Sequence, residues 1–256
     1  RAREYREQQK EYKEARRKDR ENMVEPRVDL ELEALAEILE HQRFITCHSY
    51  VQSEILMLMR VADSMDFTLN TFTHILEGYK VADHMAEHGA GASSFSDWWA
   101  YKYEVKDAIP YNAAILHRMG IVTAINSDDA EMARRLNQEA AKAVKYGGID
   151  EEEALKMVTL NPAKLLHLDH RIGAIKPGMD ADIVIWNGHP LSNYSKPEHT
   201  IIEGFVFFDA ERDLAMRERD QREKARIIAN MLKEKANGAE MRPLTRPDKS
   251  YFKCER

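Results

Sequence analysis

Between residues 44 and 146 the sequence alternates short runs of strand-forming residues with longer segments of helical periodicity. Such alternation is typical of βαβ units, in which parallel strands form one sheet and helices cover it. We count four strand–helix units, whereas a closed parallel barrel needs about eight units in about 250 residues. The pattern therefore predicts an α/β fold with half of such a barrel. The predicted strands are residues 44–47, 67–73, 92–95 and 121–125, and the predicted helices are 53–65, 79–88, 110–119 and 131–146.

Residues 1–43 precede this pattern and have a different character. Residues 1–25 carry 16 charges and almost no large aliphatic side chains, which predicts a solvated surface helix, an arm or an insertion. Asp29 is placed to cap the helix that follows it. The sequence opens on Arg1, within a helix-like pattern and without a methionine, so we expect a cut or processed start.

After the predicted half barrel, residues 44–170, the sequence becomes rich in strand and turn signals. A strand, a Pro-Gly turn and a second strand are predicted over residues 172–186, and a hairpin over residues 200–208. Residues 211–256 predict a charged helix over 213–234 and then an extended tail.

Composition excludes several classes of protein. The longest apolar run, residues 55–59, has five residues, against the roughly 20 that cross a bilayer, and the charged N-terminal stretch is unlike a signal peptide. The net charge of −6 argues against a dedicated nucleic-acid binder, which usually has a basic domain. Cys47 and Cys254 stand near opposite ends of the chain, which excludes a disulfide framework. We expect no membrane span and no nucleic-acid partner.

Three residues that can bind metals follow predicted strands: His48, His74 and Asp128. In parallel α/β sheets and barrels, functional groups gather at the carboxyl ends of the strands. Imidazole and carboxylate suit Zn, Fe, Mn or Ni, and a carboxylate can also take a proton from a metal-bound water. The three positions together predict a hydrolytic metal site.

Each of these residues also has a structural interpretation. A histidine after a strand is often a hydrogen-bonded structural residue, and Asp128 with Glu131 has the spacing of a capping box. The aromatic cluster at residues 98–103 lines a pocket or packs against the barrel rim. The other histidines fit helix ends or connectors better than a metal site: His84, His88, His117, His167 and His170.

The stretch from residue 44 to 209 resembles the C-terminal half of the amidohydrolase superfamily, the imidazolonepropionase-like and related metal-dependent hydrolases. Five motifs in the family's order carry this resemblance, and they cover about 165 residues of the chain. They are Thr46-Cys47-His48-Ser49-Tyr50 at the fifth barrel strand, Thr73-His74-Ile75-Leu76-Glu77-Gly78 at the sixth, Asn126-Ser127-Asp128-Asp129 at the eighth, Thr159-Leu160-Asn161-Pro162-Ala163-Lys164, and residues 173–184.

The resemblance implies strands five to eight of a TIM-like (β/α)8 barrel, part of a small β-sandwich over residues 171–210, and a C-terminal helix. It makes His48 and His74 metal ligands, and Asp128 both a ligand and the acid/base that activates a water. The implied cofactor is a divalent metal, with Zn first, as one or two ions. The implied reaction is hydrolysis of an amide-type C–N bond in a small molecule or a peptide.

The chain departs from the family pattern in its missing pieces. The His-x-His pair of the first strand, the ligand of the fourth strand and the N-terminal half of the sandwich have no counterpart in the sequence. Half a parallel barrel leaves two open sheet edges, which is an aggregation hazard. We therefore expect this chain to be part of a longer polypeptide, or a subunit paired with a separate N-terminal half.

The missing ligands leave a second function open. A noncatalytic scaffold or regulatory subunit would keep the fold without the ligands of the first strand. We also allow for a homo-oligomer. The sequence leaves the localisation open between the cytoplasm and export from a bacterium, and the resemblance favours export.

Overall fold

The computed structural model describes residues 1–240. Four parallel strands form its main sheet in the order β1-β2-β3-β4. Among the residues described, β1 and β4 each pair with one strand, so both edges of the sheet are open. The strands are β1 (Ile45–Ser49), β2 (Leu69–His74), β3 (Gly91–Ser94) and β4 (Thr123–Ile125).

Helices connect these strands, as the alternating pattern predicts. After β4 the predicted helix over residues 131–146 is divided in two, because Arg135 leaves helical geometry at φ −135°, ψ 35°. The helix predicted over 79–88 begins with a 3₁₀ turn at Gly78–Val81. The helices of this region are α4 (Gln52–Met65), α5 (Ala82–His88), α6 (Asn112–Arg118), α7 (Ala130–Ala133), α8 (Leu136–Gly147), α9 (Glu151–Lys156) and α10 (Leu160–Leu165), with a further 3₁₀ turn at Tyr103–Val105.

The apolar core lies between the sheet and its covering helices. On α4 the buried residues are Ile55, Met59 and Ala62, and their spacing puts them on one face of the helix, towards the strands, as in an amphipathic helix. A second cluster joins α6, α8 and α9 to β4. Together these clusters cover one side of the sheet. The largest fully buried side chains of the first cluster are Phe72, Ile55, Met59, Leu69, Ile75, Met85 and Leu116.

The charged N-terminal segment packs against its neighbours. It forms α1 (Ala2–Glu14) and α2 (Arg17–Arg20), and α3 (Leu30–Leu39) follows with Asp29 as its cap, as predicted. Tyr5 of α1 is buried, and Arg6 forms a two-point ion pair with Glu40 at 2.8 and 2.9 Å. The charged segment therefore consists of two surface helices, α1 and α2.

The strand-rich region forms a separate antiparallel sheet of three strands, β5 (Ile183–Trp186), β6 (Pro197–Ile202) and β7 (Phe205–Asp209). The predicted hairpin is confirmed, with positive φ at Glu203 and Gly204 in its turn. The strand predicted at the start of residues 172–186 is wrong, because Gly173 adopts φ +92° and breaks the extended backbone there. The region therefore contributes one strand where two were predicted.

A long helix, α11 (Ala210–Ala236), follows β7 and buries none of its residues. The predicted extended tail lies outside the described residues from position 241 onwards. None of the helices within residues 1–240 combines the length and the apolar character that crossing a membrane requires.

Candidate functional site

The carboxyl ends of the four parallel strands meet at one level. In the strand register, Ser49 lies beside His74, His74 beside Ser94, and Ser94 beside Ile125. His48 precedes the last residue of β1, His74 ends β2, and Asp128 stands three residues beyond β4. The register therefore brings the three predicted ligands to the same edge of the sheet.

Their side chains are in direct proximity. Nδ1 of His48 lies 2.7 Å from Nε2 of His74, which is a hydrogen-bond distance. Nδ1 of His74 lies 3.8 Å from a carboxylate oxygen of Asp128. The structure thus brings all three residues together, with the ring of His74 between the other two.

The three side chains lie in a row, with His74 in the middle. Because the two nitrogens of His74 point to opposite sides of its ring, His48 and Asp128 meet different sides of that ring. Within residues 1–240, no cluster of three or more His, Cys, Asp or Glu side chains already has the geometry to hold an ion. The assignment of His48, His74 and Asp128 as ligands therefore stays a prediction.

His74 is enclosed by aromatic rings. Its side chain is buried, and its ring stacks on Tyr50, at a centroid distance of 5.2 Å, and on Phe95, at 5.0 Å. Trp98 continues the stack at 5.0 Å from Phe95. These contacts fix the plane of the imidazole and therefore the directions of its two nitrogens.

The backbone of His74 is also constrained. It adopts φ +77°, a left-handed conformation that costs a non-glycine residue roughly 1–2 kcal/mol. Buried hydrogen bonds hold it there: the Ser94 hydroxyl donates to the His74 carbonyl at 3.0 Å, and the Asn112 amide donates to the Ile75 carbonyl at 3.0 Å and to the Ser94 hydroxyl at 2.9 Å. Strain held in this way is a feature of functional sites.

The electrostatic surroundings favour the neutral form of His74. Burial lowers the pKa of His74; the carboxylate of Asp128 opposes this effect, whereas His48 and Lys102 add to it. A neutral imidazole is the form that binds metal ions. The lowered pKa therefore suits a ligand at neutral pH.

Two buried atoms near the strand ends have no hydrogen-bond partner in the part of the chain described: Nδ1 of His74 and Oδ1 of Asn126. The gap of 3.8 Å between His74 Nδ1 and Asp128 is too long for a hydrogen bond. It is shorter than two zinc–ligand bonds of about 2.1 Å placed end to end. The unpartnered nitrogen and the neighbouring carboxylate are thus placed as two of the several ligands that a divalent ion needs.

The capping alternative for Asp128 is wrong, because the cap of α7 is Asp129. Its carboxylate accepts hydrogen bonds from the backbone N–H groups of Glu131 at 2.9 Å and Met132 at 3.0 Å. The side chain of Asp128 is 52% exposed. Asp128 is therefore left available to a ligand or to solvent.

Several of the other histidines have structural partners. His88 contacts Asp63 at 2.6 Å and accepts the N–H of Leu69 at 3.0 Å. His167 contacts Asn70 at 2.6 Å and stacks on Phe44. These contacts agree with the structural interpretation of both residues.

Three residues that support the site were not predicted. Tyr50 and Phe95 stack on the ring of His74, and Asn112 donates a hydrogen bond to the backbone carbonyl of Ile75, next to His74. A signal for Asn112 is present, since it is the polar residue that opens the otherwise apolar face of α6. The aromatic cluster at residues 98–103 does line this edge, through the contacts of Trp98 with Phe95 and of Trp98 with Tyr101.

Comparison with known proteins shows similarity to amidohydrolases. A family model described as the amidohydrolase family matches residues 33–215. Amidohydrolase tasK of Hapsidospora irregularis is 31% identical over 186 residues, which cover 71% of this chain and 19% of that protein. Urease subunit alpha of Haloquadratum walsbyi is 25% identical over 160 residues, which cover 56% of this chain and 27% of that subunit.

A crystal structure of an amidohydrolase from Thermotoga maritima MSB8 has a similar fold, with a TM-score of 0.67 and 31% identity. The match covers 81% of this chain and 54% of that one. This chain spans about half of that solved structure, and about a fifth to a quarter of the curated relatives it matches.

Proposed function

Because the chain belongs to the amidohydrolase family, we propose that it is a metal-dependent hydrolase that cleaves an amide-type C–N bond in a small molecule or a peptide. The observation that carries this proposal is the meeting of His48, His74 and Asp128 at the carboxyl edge of the parallel sheet. Family members generally depend on divalent metals.

In this proposal His48, His74 and Asp128 would each supply a ligand to a centre of one or two divalent ions, with zinc as the first candidate because it favours nitrogen and oxygen ligands. Such an ion polarises a carbonyl and lowers the pKa of a bound water. The stack of Tyr50 and Phe95 keeps the His74 ring in the orientation that binding requires.

Asp128 is the proposed acid/base. Its exposed carboxylate lies 3.8 Å from His74, within reach of a water at the strand ends. It accepts a proton from the attacking water and returns it to the nitrogen that leaves, as general acid–base catalysis requires.

We further propose that other strands complete the site. Both edges of the described sheet are open, and the chain spans about half of the Thermotoga maritima structure. The completing strands lie in a longer polypeptide or in a separate N-terminal half, and they supply the remaining ligands and the rest of the substrate pocket.

The test is a metal and activity assay of the full-length protein. We expect purified protein to contain about one or two divalent ions per chain, by mass spectrometry of the metals. We also expect it to hydrolyse members of a panel of N-acyl amino acids, dipeptides and lactams. Chelation should abolish this hydrolysis and Zn²⁺ should restore it.

A noncatalytic scaffold is the competing function, and the hydrogen-bond distance between the His48 and His74 rings favours it. A full-length protein that binds no divalent metal and hydrolyses nothing in the panel would support the scaffold and contradict the proposed hydrolase.

A further inference from the structure

The loop that follows β3 places a lysine beside the aromatic stack of the site. Nζ of Lys102 lies 3.8 Å from the centroid of the Tyr50 ring, and that ring stacks on His74. Lys102 therefore stands close to the strand ends where the proposed reaction takes place.

Lys102 differs from two other lysines near the site, Lys80 and Lys142, in having no ion-paired carboxylate among residues 1–240. Lys80 pairs with Asp107 at 2.8 Å and Lys142 pairs with Glu139 at 2.7 Å. Over residues 1–240, by contrast, no carboxylate lies within 4.0 Å of the Lys102 ammonium. A half-buried cation that lacks a counter-ion keeps a direction in which an anionic group can bind.

The surroundings of this cation are aromatic. The ring centroids of Tyr50 and Tyr101 lie 3.8 and 5.6 Å from Nζ, and Trp98 contacts Tyr101 edge-on. One positive charge between ring faces matches a group with a single negative charge next to an apolar side chain. A doubly charged phosphate would need further positive charges or several backbone N–H groups beside this one lysine.

We propose that Lys102, with Tyr50 and Tyr101, forms a subsite that binds the carboxylate of the substrate. This inference rests on the proposed function, because it places the subsite beside the proposed reaction centre. The substrate class it assigns is the N-acylated amino acid or the short peptide with a free C-terminal carboxylate. The neighbouring aromatic rings contact the side chain that adjoins that carboxylate.

The test measures binding separately from hydrolysis. Two of the three tryptophans, Trp98 and Trp99, lie in this loop, so a Trp186→Phe background leaves only loop reporters. Full-length, metal-free protein is titrated with N-acetyl-L-leucine and with its neutral match, N-acetyl-L-leucinamide, while tryptophan fluorescence is followed. We expect the carboxylate probe to bind about tenfold more tightly than the amide, a difference of about 1.4 kcal/mol, since a hydrogen bond to a charged group is stronger than one to a neutral group.

Variants of two lysines in the same loop identify the source of this preference. Lys102→Met should remove the tenfold preference and leave the binding of the amide unchanged, and Lys102→Arg should restore most of it. Lys106→Met is the matched control, because Lys106 lies over the ring of the exposed Tyr103; it should keep the preference. Far-UV circular dichroism of each variant verifies the fold.

Three results would overturn the inference: no preference in the unmodified protein, a preference that survives Lys102→Met, or an equal loss in Lys106→Met. The outcome is separate from that of the proposed function. A carboxylate preference without hydrolysis by the zinc-loaded protein would leave the subsite standing and reject the hydrolase. Hydrolysis without such a preference would do the reverse.

Discussion

His74 combines a strained backbone with a ring that stacks on two aromatic side chains. Its φ of +77° is maintained by the hydroxyl of Ser94 and the amide of Asn112, and its ring by Tyr50 and Phe95. Such a residue has little freedom to adapt. A substitution at this position should therefore test function with a limited effect on the fold, provided that the new residue tolerates a positive φ.

Asparagine tolerates this conformation better than most residues. We expect His74→Asn to abolish hydrolysis by the full-length protein and to lower its metal content, while far-UV circular dichroism stays close to native. His84→Asn is the matched control, because His84 is exposed and contacts its neighbour Asp83. Full turnover in His74→Asn would show that His74 is not a ligand.

Two adjacent carboxylates allow an equally close comparison. Asp128→Asn should keep most of the bound metal but lower kcat about 10²- to 10⁴-fold, because the amide cannot accept the proton. Asp129→Asn should leave kcat nearly unchanged, since asparagine caps a helix about as well as aspartate.

Steady-state kinetics and metal analysis of both variants check this prediction. A larger loss in Asp129→Asn than in Asp128→Asn would move the acid/base role to Asp129.

At the scale of single residues, the sequence identifies those whose positions are set by the end of a strand. Parallel register brings His48, His74 and Asp128 to one edge whatever the details of packing. Asn112 and Phe95 were missed because their contacts with the segment around His74 cross 20 to 40 positions of the chain, and side-chain packing alone brings them there.

The elements pack closely where α6 meets α8. A Cβ added at Gly147 would overlap the Cβ of Ala114, which is part of a short, rigid side chain. We expect Gly147→Ala to lower the free energy of unfolding by about 1–3 kcal/mol, the typical cost of overpacking. Urea unfolding of the full-length protein measures this change.

A second substitution separates overpacking from other effects. In Ala114→Gly the nearest obstacle to the new Cβ becomes the Ala114 Cα position, 3.6 Å away, which is an ordinary contact. The double variant should therefore be more stable than the sum of the two single effects predicts. Strict additivity would show that the helices do not meet at this point.

Periodicity predicts elements well where one helix face is buried, as on α4 with Ile55 and Met59. It fails where a backbone angle decides the outcome. The interruption at Arg135 and the positive φ of Gly173 leave no mark in a hydrophobic pattern, so one predicted helix proved to be two and one predicted strand is a loop.

The whole molecule presents open sheet edges and exposed apolar side chains. Besides the edges of the parallel sheet, β7 exposes Phe205 and Phe207. We expect the 256-residue chain, produced alone, to associate as its concentration rises, because such edges and faces pair with other chains. Production together with the proposed completing half should yield one discrete species.

Sedimentation velocity over a range of concentrations checks this expectation. A stable monomer of 29.7 kDa that hydrolyses substrate unaided would contradict both the association and the proposed completion of the site.

At the scale of the molecule, the sequence predicts four units of a parallel α/β fold and their order. It does not predict what covers the open edges. In the proposed complete site those surfaces belong to other residues, and the pattern of residues 44–146 contains no information about them.

The stacking of His74 on Tyr50 and Phe95 also has a spectroscopic consequence. Protons that lie over the faces of aromatic rings are shielded by ring currents, so the carbon-bound imidazole protons of His74 should resonate upfield of those of solvent-exposed histidines. Among ten histidines, this one should then stand apart in a proton NMR spectrum, where the binding of an ion could be followed at a single side chain.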